Sequence, residues 1–108
     1  MATSYKVLGQ AAPSATTNTD LYTVPSGAQA VASTLVICNR GATTTVRVAV
    51  RPNGSSLVNQ HYIVYDYPIN ANDSVFLTIG IALGDLDYVS VYAGTADVSF
   101  SLFGSEIA

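Results

Sequence analysis

Thr44-Thr45-Val46-Arg47-Val48-Ala49-Val50-Arg51 is the stretch that decides the fold. Val46, Val48 and Val50 alternate with Thr45, Arg47, Ala49 and Arg51. A period of two is that of a pleated strand with one buried face and one wetter face. Two further stretches repeat it. Val75, Leu77, Ile79 and Ile81 alternate with Phe76, Thr78 and Gly80, and Val98, Phe100 and Leu102 alternate with Asp97, Ser99 and Ser101. No stretch carries apolar residues at helical spacing.

Working outward, turn signals divide the chain into about eight strands. The predicted strands are Tyr5 to Gly9, Leu21 to Val24, Val31 to Asn39, Thr44 to Arg51, Gln60 to Ile69, Ser74 to Ile81, Tyr88 to Ala93 and Val98 to Phe103. Pro25-Ser26-Gly27, Pro52-Asn53-Gly54 and Asn70-Ala71-Asn72-Asp73 supply turn chemistry between them. Val31 to Asn39 is apolar on both faces near its middle, as a central strand is. Pro68 cannot donate to a ladder, which places Gln60 to Ile69 at an edge or ends it there. Tight turns at Arg40-Gly41-Ala42 and Gly94-Thr95-Ala96-Asp97 predict hairpins on either side of each. Short strands with regularly spaced turns predict an all-β, single-domain antiparallel β-sandwich over residues 1–108. Eight strands favour a jelly-roll-like arrangement over a seven-stranded immunoglobulin sandwich.

Charge narrows the function. Only 10% of the 108 residues are charged, with a formal net charge of −3, where roughly a quarter is usual. A weakly acidic chain lacks the clustered cations that nucleic acid or an anionic membrane requires. A surface poor in Lys and Glu resembles an interface. The only cysteine, Cys38, excludes an intrachain disulfide, and its apolar run Leu35-Val36-Ile37-Cys38 predicts a buried thiol. No basic end followed by an apolar stretch opens the chain, and no segment has the ~20 apolar residues of a membrane span. Synthesis in a cytoplasm without an export address is the expectation.

Catalytic and metal constellations are not legible. His61 is the only histidine, and no Gly-x-Ser-x-Gly elbow accompanies it. One His and one Cys are too few for a zinc site. Asp73, Asp85 and Asp87 read as turn residues and not as a spaced calcium loop. Asp66 has no second acid in sequence with which to form a glycosidase pair. Neither cofactor, metal nor enzymatic activity is expected.

The tyrosines carry what remains. Tyr62, Tyr65 and Tyr67 lie within one strand, and Tyr88 and Tyr92 share a face of another. Tyrosine is an ordinary strand residue, an interface anchor, and in sandwich modules a sugar platform. Arg47 and Arg51 are four apart, hence on one strand face, free to meet acids of a neighbouring subunit or to be solvated. Arg47, Arg51, Tyr62, Tyr65 and Tyr67 are the candidate interface residues.

A resemblance bears on the task. Leu21-Tyr22-Thr23-Val24-Pro25-Ser26-Gly27, Val36-Ile37-Cys38-Asn39-Arg40-Gly41 and Val46-Arg47-Val48-Ala49-Val50-Arg51 resemble a family of small virion structural proteins of tailed bacteriophages, especially of marine and cyanobacterial hosts. Gln60-His61-Tyr62-Ile63-Val64-Tyr65-Asp66, Val91-Tyr92-Ala93 and Phe103-Gly104-Ser105-Glu106 extend the resemblance over nearly the whole chain. It implies a non-enzymatic virion component, with no assigned site to carry over. The expectation is a capsid decoration or cement protein, a homo-oligomer (by preference a trimer) whose partner is the major capsid protein or another virion protein. A neck, tail or fibre protein is the alternative. A carbohydrate-binding module touching the host surface is the alternative from another class.

Overall fold

The computed structural model describes residues 2–108. Its strands are β1 (Thr3–Ala11), β2 (Thr19–Thr23), β3 (Gln29–Asn39), β4 (Thr44–Arg51), β5 (Tyr62–Ile69), β6 (Ser74–Leu83), β7 (Tyr88–Ala93) and β8 (Val98–Ile107). Two single 3₁₀ turns, Pro52–Gly54 and Asn59–His61, lie between β4 and β5. One sheet has the order β1-β8-β3-β6 and the other β2-β7-β4-β5, and every pairing is antiparallel. This is the strand order of a jelly roll, in which the chain passes from sheet to sheet at nearly every turn.

The inward face of each strand builds one core. Leu35, Ile37, Phe100 and Leu102 from one sheet, with Val46, Val48, Val89 and Val91 from the other, have essentially no exposure. Each fully buried side chain of this size contributes about 1.5–3 kcal/mol of transfer free energy. β1 of one sheet passes close to β2 of the other at Gly9, where any Cβ would overlap the carbonyl oxygen of Leu21.

The two hairpins expected from the tight turns do not form. β3 and β4 lie in different sheets, as do β7 and β8. β3 is already flanked by β6 and β8, so the chain must leave that sheet. Asn39 fixes the exit. Its buried amide donates to the carbonyls of Ala42 (2.8 Å), Asn70 (3.1 Å) and Ile69 (3.3 Å), and its Oδ1 accepts from the Gly41 N–H (3.0 Å). The two crossing loops then run side by side, with Arg40 N–H bonded to the Asp97 carbonyl at 2.8 Å and Gly94 N–H to that of Thr45 at 3.0 Å.

β1 and β8 extend beyond their expected limits because they pair along their whole lengths, from Thr3 opposite Ile107 to Ala11 opposite Phe100. β3 is central and β5 an edge strand, as the apolar run and Pro68 imply. Cys38 is a correction: it is half-exposed, opposite Ser74 and Ser99 on the outer side of its sheet. The register also shifts at one level across that sheet, at Leu8 in β1, Ser33 in β3 and Ile79–Gly80 in β6. Gly80 supplies the positive φ of +56° that the last of these needs.

Candidate functional site

Arg47 and Arg51 stand on the outer face of the β2-β7-β4-β5 sheet because Val46, Val48 and Val50 turn inward. In register, Arg47 faces Tyr92 and Arg51 faces Tyr88 across the β4–β7 ladder. Each guanidinium stacks on the ring opposite it, with Arg47 Cζ 4.5 Å from the Tyr92 centroid and Arg51 Cζ 4.9 Å from that of Tyr88. Arg47 also lies 4.4 Å from the centroid of Tyr65 in β5, so it is held between two aromatic rings. Such distances are within cation–π range.

Both arginines are neutralised within the chain. Arg47 Nε donates to Asp66 Oδ1 at 2.6 Å, and Arg51 Nη2 donates to Asp20 Oδ1 at 2.8 Å. Ser90 closes the second group, accepting from Arg51 Nε at 3.1 Å and donating to Asp20 at 3.1 Å. The Asp66 hydrogen bond is the main cause that holds the Arg47 guanidinium above even its usual high range. The free-arginine alternatives, solvation or a subunit's acid, are thus replaced by intramolecular pairs.

β5 reaches this geometry through two irregularities. Val46 pairs with Tyr67 and Val48 with Val64, so two residues, Tyr65 and Asp66, oppose Arg47 alone. Asp66 takes a left-handed backbone (φ 49°), which Asp tolerates better than most residues. A second extra residue is Ile63, between Tyr62 opposite Ala49 and Val64 opposite Val48. The result gathers Tyr62 and Tyr65, whose rings meet edge to face at 4.9 Å. With Asn59 they line a shallow hollow. Tyr65 remains 58% exposed.

Four of the five candidate interface residues therefore form one platform: Arg47, Arg51, Tyr62 and Tyr65. Tyr67 does not join it. Its register partner Val46 faces the core, so Tyr67 sits on the opposite side of the edge strand. The platform also uses Tyr88, Tyr92, Asp20, Asp66 and Ser90. The shared face of Tyr88 and Tyr92 is readable from their spacing, but that β7 lies beside β4 is not.

His61 belongs to the 3₁₀ turn before β5, not to the strand, and is nearly buried. Its Nδ1 accepts from the Val58 N–H at 3.2 Å, an ordinary structural partner. Among the described residues no group of three or more His, Cys, Asp or Glu could hold a metal ion.

A second polar cluster ties the sheets together. The Tyr22 hydroxyl donates to Glu106 Oε2 at 2.5 Å, and Lys6 Nζ donates to Glu106 Oε1 at 2.9 Å. Burial, then the adjacent carboxylate, pushes the Tyr22 hydroxyl well above its usual range. The hydrogen bonds from Tyr22 and Lys6 hold Glu106 below the usual carboxylate range. Part of this cluster is solvent-accessible, but its geometry braces β1, β2 and β8 and presents no reactive centre.

Comparison with protein-family models, curated proteins and solved structures gives no match for this chain.

Proposed function

We propose that the chain is a non-enzymatic structural protein of a tailed-phage virion, a decoration protein that docks on the capsid shell through the Tyr62–Tyr65–Arg47–Tyr92 platform. The observation that carries this reading is the clamped arginine. Arg47 is held by two rings and one carboxylate, while Tyr65 stays 58% exposed beside it. A rigid aromatic anchor with its neighbouring charge already paired loses little side-chain freedom on docking. Tyr and Arg are the residue types that dominate interface hot spots. The jelly roll itself is compatible with many tasks and adds no specificity. The resemblance to virion proteins supports a partner within the particle, for which the proposal takes the major capsid protein on an assembled shell.

Stabilisation would follow from mass action, since a protein that binds only the expanded shell shifts the shell toward that state. Co-sedimentation of the purified chain with expanded shells of its phage tests the reading. Saturable binding that Tyr65→Ala weakens at least tenfold, and that reversal of Arg47 and Arg51 also weakens, is the expected result. Binding indifferent to all three changes rejects the platform as the contact.

A second reading is favoured by the hollow between Asn59, Tyr62 and Tyr65, whose size and chemistry suit a sugar ring on an aromatic wall. Saturable binding to a host-surface glycan, lost in Tyr65→Ala with the fold intact, would move the assignment to a carbohydrate-binding module. A neck, tail or fibre position would keep the virion reading but change the partner and lower the copy number.

A further inference from the structure

The outer face of the β1-β8-β3-β6 sheet differs in chemistry from the platform. Its outward positions run in rows across the four strands. One row reads Tyr5, Ser105, Val31, Ala82; the next reads Val7, Phe103, Thr34, Thr78; the third reads Gln10, Ser101, Val36, Phe76. Beyond them lie Ser99, Cys38 and Ser74 at one end, and Thr3, Ile107 and Gln29 at the other. None of these residues is charged. The sheet's two charged residues, Lys6 and Glu106, pair with Gly104 and Ser4 at inward positions and bond each other and Tyr22. Yet the face exposes large side chains: Tyr5 is 86% exposed, Phe76 72%, Val7 46% and Val31 41%. A soluble surface ordinarily carries charge throughout, about 25–35% of it.

We infer that this face is the interface between two copies of the chain, packed sheet on sheet about a two-fold axis that runs parallel to the strands. The rows carry the inference. Such an axis reverses the strand order of the facing copy, so β1 meets the second copy's β6 and β8 meets its β3. No aromatic side chain then meets another aromatic one. Tyr5 falls opposite Ala82, Ser105 opposite Val31, Val7 opposite Thr78, Phe103 opposite Thr34, Gln10 opposite Phe76 and Ser101 opposite Val36. A self-complementary surface is what an isologous contact requires. An axis running across the strands through the middle row lacks this property, because it sets Phe103 and Val7 against themselves.

Charge and area support the same occupant. A face without charge leaves none to be desolvated or left unpaired when two copies meet, and the core of an interface is depleted of charge in the same way. The remaining acids, Asp73, Asp85, Asp87 and Asp97, lie in the turns at the sheet ends. Four strands at ~4.8 Å spacing and about ten residues at ~3.3 Å rise give a plane of roughly 600 Å². The accessible area of such a corrugated face is larger, close to the ~800 Å² per partner of a standard interface. The inference does not depend on the virion reading, and it specifies two-fold symmetry where a decoration protein is expected as a trimer.

The test is the solution mass of the purified chain by sedimentation or light scattering, with size-swap variants. Twice the chain mass of 11.2 kDa is expected at micromolar concentration. Ala82→Tyr is expected to weaken association at least tenfold by setting one tyrosine against another. Tyr5→Ala combined with Ala82→Tyr is expected to restore it. Positions 5 and 82 lie on opposite edges of the sheet, so this rescue can act only between copies. Both side chains are exposed, so the fold survives, as an unchanged melting temperature would show. Val58→Asp, away from this face, should leave the mass unchanged. A monomer at 100 μM, a mass three times that of the chain, or failure of the double variant to recover would each overturn the inference.

Discussion

Replacing Tyr22 with Phe removes one hydroxyl from the Tyr22–Glu106–Lys6 cluster that joins the two sheets, and leaves the ring in place. Tyr22 is nearly buried, and its hydroxyl donates to an ionised carboxylate, Glu106, at 2.5 Å. A hydrogen bond to a charged group contributes about 1.5–3 kcal/mol. Glu106 keeps Lys6 at 2.9 Å after the change, so the carboxylate is not orphaned and the loss should fall near the lower limit, about 1.5–2 kcal/mol at pH 7. For a domain of this size that corresponds to a fall in melting temperature of about 6–12 °C. Urea unfolding at constant m-value measures it. Protonating Glu106 should reduce the loss to about 1 kcal/mol, that of a neutral hydrogen bond. A double-mutant cycle with Glu106→Gln isolates the pair. A loss under about 0.5 kcal/mol at pH 7, or one that Glu106→Gln leaves unaltered, would refute the assignment of the cluster as a brace between sheets.

Other perturbations follow from the same geometry. Asn39→Ala leaves three carbonyls and the Gly41 N–H short of a partner and should cost about 2–3 kcal/mol, read by urea unfolding. Asp66→Ala loses the Arg47 pair and forces alanine into the left-handed region, so it should lower the melting temperature, whereas Asp66→Gly loses the same pair but relieves the backbone and should lower it less. Gly9→Val should separate β1 from β2 and lower the melting temperature more than any exposed substitution, since its Cβ overlaps the Leu21 carbonyl. In pH scans stability should form a plateau. Glu106, lowered in the folded chain, contributes above its ordinary value of about 4.5, and that contribution is lost as pH falls through the folded value. Tyr22, raised in the folded chain, contributes fully below its ordinary value of 10.0, and that contribution is lost as pH rises beyond it. Glu106→Gln should flatten part of the acid side.

The fold class was readable because alternation reports directly on burial. Val46, Val48 and Val50, or Val98, Phe100 and Leu102, turn inward as the pattern requires. Strand partners were not readable. The turns Arg40-Gly41-Ala42 and Gly94-Thr95-Ala96-Asp97 have hairpin chemistry, but the chain uses them to change sheets, held there by Asn39, whose bonds reach residues thirty positions away. The same limit applies to the site. Arg47 and Arg51 on one face followed from spacing, whereas their partners Asp66, Asp20, Tyr88 and Tyr92 come from strands whose adjacency only the topology creates. Tyr67 was misleading for a local reason: the bulge at Tyr65–Asp66 breaks the period of two within the strand. Cys38 sat in an apolar run because β3 is a central strand with one face toward the core and the other toward an uncharged surface, so apolar sequence there did not mean burial.

Two faces of one sandwich thus carry different chemistry, an arginine–tyrosine platform on one sheet and an uncharged, self-complementary surface on the other. The assignment of the first to a capsid shell is tested most directly by quantitative mass spectrometry of purified particles of the encoding phage, counting this chain against the major capsid protein. Copies in near-constant ratio to the capsid protein, at the level of the shell's repeating sites, are the expected result; its absence from the particles would contradict the account.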